Sequence, residues 1–318
     1  MKRHRTMVQK ATSYLAYRRS LGFKLRDHGQ RLMHFAEFLD RHRHRGPLTT
    51  QAILRWLEMD PAAQRCRAGK MSAVRGFARY LALRDGRTQV PDTRLVPGDF
   101  RRRRPHIYTT QQLRQLLAAA SRMKLQCALG PLTYRTFFGL LASTGLRISE
   151  AMNLTGGHVD LKRGILRIEH TKSGATRLVP LHPTTVQALR RYATARDRRW
   201  GARQERSFFL ASHGRALMKK QTQFRFRQLC EGLGWHRGNG EMAKPRIHDL
   251  RHTFACQRLL RWYREGENIH QMIVALSTYL GHKEVTYTYW YLTGTAELLG
   301  IAGDRFEKFA RTAGGRHV

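Results

Sequence analysis

"GILRIEHTKSGATRLVPL" (residues 164–181) alternates apolar and polar side chains on either side of a Lys-Ser-Gly turn. A period of two is the mark of a strand with one buried face, so two antiparallel strands joined by a short turn are predicted here. The chain that follows the linker described below has helical spacing instead. From "TTQQLRQLLAAASR" onward, Thr109 or Thr110 offers an N-cap, and Leu113, Leu116 and Leu117 fall on one face. The hairpin thus interrupts a helical domain, and the expected fold class is mainly α with a small antiparallel β-sheet.

Upstream, residues 1–95 read as a separate helical unit. Leu32, Phe35 and Phe38/Leu39 repeat at helical spacing, as do Val74, Phe77, Ala78 and Leu81. Between them "PLTTQAILRWLEM" starts a further helix, capped by Thr49 or Thr50, with Ile53, Leu54 and Trp56/Leu57 buried. The stretch "VPDTRLVPGDFRRRRPHIYT" (90–109) has three prolines, four consecutive arginines and no apolar period, which marks a basic linker over 96–107. The larger domain then covers 108–318.

The partner is legible in the charge. Against 22 Asp+Glu stand 59 Lys+Arg, a formal net charge of +37, and a free chain so charged is strongly self-repelling. Double-stranded DNA is the expected partner. Arg65, Arg67, Lys70 and Arg75 on one helix, Arg101, Arg102, Arg103 and Arg104 in the linker, and Lys219, Lys220, Arg225 and Arg227 in "KKQTQFRFRQL" are the candidate contacts. A basic linker between two basic domains lets them close round a duplex as a clamp. The four cysteines, Cys66, Cys127, Cys230 and Cys256, are too scattered for a zinc site or a disulfide framework and read as reduced core thiols. No apolar signal core and no run of about 18 apolar residues is present, so a soluble, cytoplasmic, nucleoid-associated protein is expected.

Three stretches concentrate Arg, His and Tyr: "STGLRISEAMNL" (143–154), "PRIHDLRHTFA" (245–255) and "LGHKEVTYTYWYLT" (280–293). Chemistry on a phosphodiester needs a nucleophile, a charge clamp for the non-bridging oxygens and an acid for the leaving oxygen. None of the three groups the carboxylates of a two-metal site, so the clamp must be cationic, and bidentate arginines suit phosphate best. No cofactor or metal is expected. The nucleophile is less clear from spacing alone. On a helix Tyr287 and Tyr291 share a face at i,i+4 while Tyr289 points away, so Tyr287 stands as the alternative nucleophile to Tyr291, and core or interface packing is the other reading of Tyr279, Tyr287 and Tyr289.

Together these boxes resemble the tyrosine recombinase (phage-type integrase) family. The resemblance covers the catalytic half throughout, and the helical N-terminal half is similar to that family's core-binding domain. It implies Arg147, Lys172, His248, Arg251, His282 and Tyr291 as the catalytic set, with Tyr291 chosen because it stands nine residues after His282. By the same resemblance Arg147 and Arg251 grip the phosphate, His248 acts as base or orienter, Lys172 protonates the leaving 5′ oxygen and His282 hydrogen-bonds the phosphate. Glu150 is read as buttressing an arginine, Asp249 as capping or pairing within its helix, and His252 as a neighbour of the site or a packed helix residue. The family works as a tetramer on DNA, through a four-way junction, with or without accessory recombination proteins. The tail "ELLGIAGDRFEKFA" is similar to the helix that docks into a neighbouring subunit. Three departures stand out: the paired glycines of "TGGHVDL", expected to loosen that turn, the long aromatic run before the LGH box, and "LTGTAELL" after Tyr291. The last two are closer to recombinases of transposons and other mobile elements. A type IB topoisomerase and a non-catalytic DNA-binding protein are the rival readings.

Overall fold

The computed structural model describes residues 6–59, 64–96, 105–125, 127–169, 176–202, 207–235, 244–293 and 300, with 64–66 and 293 described for the main chain only. The chain divides into two compact units, Met1–Arg102 and Arg103–Val318.

The first unit is built on α1 (Met7–Ser20), α2 (Arg26–Arg41), α3 (Thr50–Glu58) and α4 (Gln64–Ala82). Local chemistry sets the starts. Thr6 and Gln9 close a capping box on α1, and Thr49 accepts from the Ala52 N–H to begin α3. A second cap crosses between helices: the Asp40 carboxylate of α2 accepts from the N–H groups of Met7 (2.8 Å) and Val8 (3.0 Å), placing an anion at the positive end of α1. The predicted stripes meet in one core, where Leu32, Phe35, Leu39, Ile53, Trp56, Leu57, Val74, Phe77 and Leu81 are buried together.

In the second unit, α5 (Thr110–Ser121), capped by Thr109, packs on α6 (Leu129–Thr144). Buried residues lie on all sides of α6, among them Thr133, Tyr134, Phe137, Phe138, Leu140 and Leu141, as a central helix requires. Truncating Phe137 or Phe138 to Ala would cost about 3–5 kcal/mol. After the short α7 (Ile148–Met152) come β1 (Val159–Asp160), β2 (Ile165–Ile168) and β3 (Arg177–Pro180), all antiparallel in the order β1-β2-β3. The register pairs buried Leu166 with buried Val179 and outward Arg167 with outward Leu178, so the alternation read from the sequence holds for both strands. The turn that joins them lies outside the described residues. The glycines of "TGGHVDL" do not loosen their turn: His158 Nδ1 accepts from the Thr155 N–H at 3.1 Å and closes it.

The remaining helices are α8 (Pro183–Trp200), α9 (Lys219–Gly232), α10 (Asp249–Glu265), α11 (Ile269–Leu280) and α12 (Thr286–Tyr289). Helix α10 packs on both α6 and α11. Phe254, Ala255, Cys256, Leu259, Ile273, Leu276, Leu280 and Tyr291 form a smaller core beside the main one. Cys127, Cys230 and Cys256 are free and buried, and burial pushes the Cys230 and Cys256 thiols up to about 12, where they are inert. Among the described residues no helix is long and apolar enough to cross a membrane.

Candidate active site

Two glycines bring three distant segments together. Helix α6 ends in Gly145 and α11 in Gly281, both left-handed (φ 63° and 67°). At Gly145 an added Cβ would stand 2.6 Å from the Phe254 ring and 3.1 Å from Leu280, so no larger residue allows α6, α10 and α11 to close this tightly.

At the end of α11 the helix satisfies only part of itself. The Gly281 N–H returns to Thr278 O and the His282 N–H to Ser277 O, each at 3.0 Å, which leaves the carbonyls of Tyr279, Leu280 and Gly281 free of the helix ladder. Each takes one arginine. Arg177 Nε donates to Tyr279 O at 2.8 Å, Arg251 Nη2 to Leu280 O at 2.9 Å and Arg147 Nη2 to Gly281 O at 2.9 Å. Cations are favoured at this negative end of a helix.

Among the described residues Glu150 supplies the single carboxylate of the cluster. Its Oε1 accepts from Arg147 Nη1 (2.7 Å) and Arg177 Nη1 (3.2 Å), and its Oε2 from Arg177 Nη2 (2.8 Å) and the Arg147 N–H (3.0 Å). Burial alone would raise its pKa, but these bonds outweigh it and hold Glu150 below the ordinary carboxylate range. Three guanidinium charges against one carboxylate leave two positive charges uncompensated, which suits a phosphodiester gaining negative charge in its transition state.

Arg251 is the most enclosed of the three, at 2 % exposure. Nη1 donates to Gly145 O at 2.7 Å, and the guanidinium charge stands beside the Tyr291 hydroxyl. Burial lowers its pKa to about 10, still far above neutrality. Tyr291 is 3 % exposed; burial raises its hydroxyl pKa and the Arg251 charge opposes the rise. The Tyr291 ring lies 6.0 Å from that of His282, nearly parallel, and 5.5 Å from that of His252. His282 is oriented by Thr288, whose Oγ1 lies 2.7 Å from Nδ1, and burial with the charges of Arg251, Arg147 and Arg177 lowers its pKa to about 4. His282 is therefore a neutral imidazole at neutral pH.

At the start of α10, Asp249 accepts from the Arg246 N–H (2.8 Å) and its guanidinium (2.8 and 3.2 Å), holding the helix entry that carries His248. His248 keeps much of its surface in solvent, but its ring lies 4.8 Å from that of His252, and this enclosure followed by the Arg251 charge lowers its pKa. His252 also meets the Trp290 ring at 5.2 Å, and burial takes its pKa down to about 3. Among the described residues no group of three or more His, Cys, Asp or Glu side chains could hold a metal ion.

Arg147, His248, Arg251, His282 and Tyr291 are thus brought into one cluster, whereas Lys172 lies outside the described residues. The tyrosines divide. Tyr287 (46 % exposed) and Tyr289 (41 %) lie outside the described cores, while the rings of Tyr287 and Tyr291 both flank His282, at 6.4 and 6.0 Å. The α-helical turn gives way to a 3₁₀ turn over Trp290–Thr293. Tyr291 and Thr288 are both buried. Arg177 was missed. The available signal was an arginine at the start of a strand whose one nearby acid, Glu169, is taken up by His158 and Arg167.

The candidate DNA contacts divide. Lys219, Lys220 and Arg227 are exposed on α9, while Arg225 is half-buried with Nη1 on Gln228 Oε1 at 2.9 Å. Arg67, Lys70 and Arg75 are half-buried on α4. The Arg65 side chain and Arg101, Arg102, Arg103 and Arg104 lie outside the described residues.

Residues 107–297 match the model of the phage integrase family. The chain belongs to that family. It is a tyrosine recombinase, 39 % identical over 308 residues to the candidate integrase/recombinase y4rB of Sinorhizobium fredii (strain NBRC 101917 / NGR234), covering 95 % of this chain and 98 % of the relative. It is 30 % identical to the tyrosine recombinase XerC of Azotobacter vinelandii (strain DJ / ATCC BAA-1303), over 74 % of this chain and 71 % of that one. The recombinase shares its fold with the Tn1549 transposon integrase solved in complex with transposon right end DNA, at a TM-score of 0.68 and 17 % identity over 96 % of this chain and all of that one.

Proposed function

We propose that this tyrosine recombinase cleaves and rejoins DNA at specific sites through a covalent 3′-phosphotyrosyl link at Tyr291, and that it moves a mobile element. The observation that carries the reading is the end of α11, where arginines anchored on successive carbonyls stand beside a buried tyrosine. In the forward step the Tyr291 oxygen attacks phosphorus and the bond from phosphorus to the 5′ oxygen breaks. The tyrosine proton passes to His248, and the departing 5′ oxygen takes a proton from Lys172. A tyrosine hydroxyl with an ordinary pKa near about 10 is a poor nucleophile unless cations or a base assist it. The Arg251 charge already stands beside that hydroxyl, and Arg147 stands close by with donors to spare for the non-bridging oxygens. Attack by a new 5′ hydroxyl reverses the step, so the energy of the phosphodiester is kept in the protein–DNA bond.

The chemistry is read as running in a tetramer on a four-way junction, as the family resemblance implies. Residues 1–95, 96–107 and 108–318 are read as core-binding domain, basic linker and catalytic domain, with Lys219, Lys220 and Arg227 on the phosphate backbone. The likeness to y4rB and to a transposon integrase supports the mobile-element role. The test is a nicked duplex carrying the ends of the host element, incubated with the protein, quenched with detergent and mapped by mass spectrometry, with a mobility shift to establish binding. An adduct on Tyr291 is expected. Bound DNA with no adduct, or an adduct on Tyr287 or Tyr289, would overturn the assignment.

A further inference from the structure

Arg147 and Arg177 share one carboxylate but not one outlook. The Arg147 side chain is 29 % exposed and spends two of its N–H groups inside the protein, on Glu150 and Gly281 O. The Arg177 side chain is 11 % exposed and holds Glu150 through both Nη atoms while Nε holds Tyr279 O. Its head also fills the space above Gly281, where an added Cβ would meet Nη1 at 2.7 Å. A carboxylate gripped in this two-point way cannot swing about its own axis. Glu150 is therefore fixed for its other partners, the Arg147 side chain and the Arg147 N–H that opens α7.

We propose that Arg177 is a positioning residue for DNA cleavage: by locking Glu150 against the end of α11, it fixes the direction in which Arg147 presents its free N–H groups to the scissile phosphate. Arg177 itself does not reach the phosphate. The inference rests on the reading of Arg147 as a phosphate ligand. A lysine at 177 keeps the charge and one bond but loses the fork, so Glu150 is free to turn and Arg147 with it. A displacement on the order of 1 Å at a reacting group costs up to about 10²-fold in rate.

The test is a double-mutant cycle on single-turnover cleavage of bound DNA, with wild type, Arg177→Lys, Arg147→Ala and the double variant. Each is assayed on an ordinary scissile phosphodiester and on a methylphosphonate, which is neutral and has less need of a cation. Arg177→Lys should slow phosphodiester cleavage by about 10- to 100-fold with DNA affinity kept, and the double variant should be no slower than Arg147→Ala alone. The loss should shrink on the methylphosphonate for both single variants. Penalties that multiply in the double variant, or an Arg177→Lys loss equal on both substrates, would reduce Arg177 to a structural residue and overturn the inference. An Arg147→Ala enzyme that cleaves at the wild-type rate would overturn the reading of Arg147 itself. Arg177→Gln, which keeps one donor for Glu150, serves in the cycle if the lysine variant does not fold.

Discussion

A group of cations in the first unit and the three arginines at the end of α11 in the second are held in different ways, although Arg196 and Arg258 of the second unit also lie over rings. In the first, cations lie over aromatic faces: Arg18 is 4.1 Å from the Phe23 ring centre, Arg84 is 4.2 Å from Tyr80, and Lys70 is 5.1 Å from Trp56. Among the described residues the Nε atoms of Arg18, Arg67 and Arg75 are buried without a hydrogen-bond partner. In the second unit Arg147, Arg177 and Arg251 each donate to a main-chain carbonyl within 3 Å. A ring face fixes where a cation sits but not how its N–H groups point, whereas a carbonyl together with a carboxylate fixes both. The first arrangement suits grip along a phosphate backbone, and the second suits chemistry at one phosphorus atom.

Substitution at Arg251 should separate the two most sharply. Arg251→Lys strips donors from Gly145 O and Leu280 O and moves the charge beside the Tyr291 hydroxyl. Single-turnover cleavage should fall by about 10²- to 10³-fold, and urea unfolding should lose about 1–3 kcal/mol for each carbonyl left bare. An unchanged cleavage rate would place the chemistry elsewhere. Gly281→Ala comes next: the left-handed backbone costs about 1–2 kcal/mol and the new Cβ presses on Arg177, so both the unfolding midpoint and the cleavage rate should drop.

On the other side of the comparison, Arg75→Ala should leave the cleavage rate of saturated complexes alone. Its effect should appear in binding, as uniformly weaker affinity and a salt dependence shallower by about one phosphate contact. A loss of rate at saturating DNA would erase the distinction between the two groups of cations. A further effect is in acid, where stability alone is read. Because His282 and His252 titrate near about 4 and about 3 in the fold, below the ordinary value of about 6.5, the unfolded chain binds protons that the fold refuses. Stability should therefore decline as pH falls below about 6.5, most of it before pH reaches the folded values. Urea midpoints measured at about pH 7 and pH 5 should differ, and His252→Phe should narrow the gap.

Much of this was legible in the sequence because the signals are local. The caps at Thr49 and Thr109, the stripes of α2, α3 and α4 and the alternation of β2 and β3 all depend on neighbours within a turn or a hairpin. Arg147, His248, Arg251, His282 and Tyr291 could be chosen because each stands in a short recognisable box, and the structure brings them together. Arg177 could not, because its partners Glu150 and Tyr279 O stand 27 and 102 residues away and one of them is a carbonyl with no side-chain signature.

Anchoring on carbonyls also bears on how such a protein can diverge. A carbonyl is supplied by any residue, so the side chains at 279 and 280 are constrained by packing and not by the arginines they hold. Tyr279 is kept by its stacking on Phe254 (5.6 Å) and Leu280 by its place in the smaller core. Relatives can therefore exchange these side chains without moving a guanidinium, provided that the helix still stops at the same residue. What drift cannot touch is the stop itself, since losing Gly281 would shift three acceptors at once.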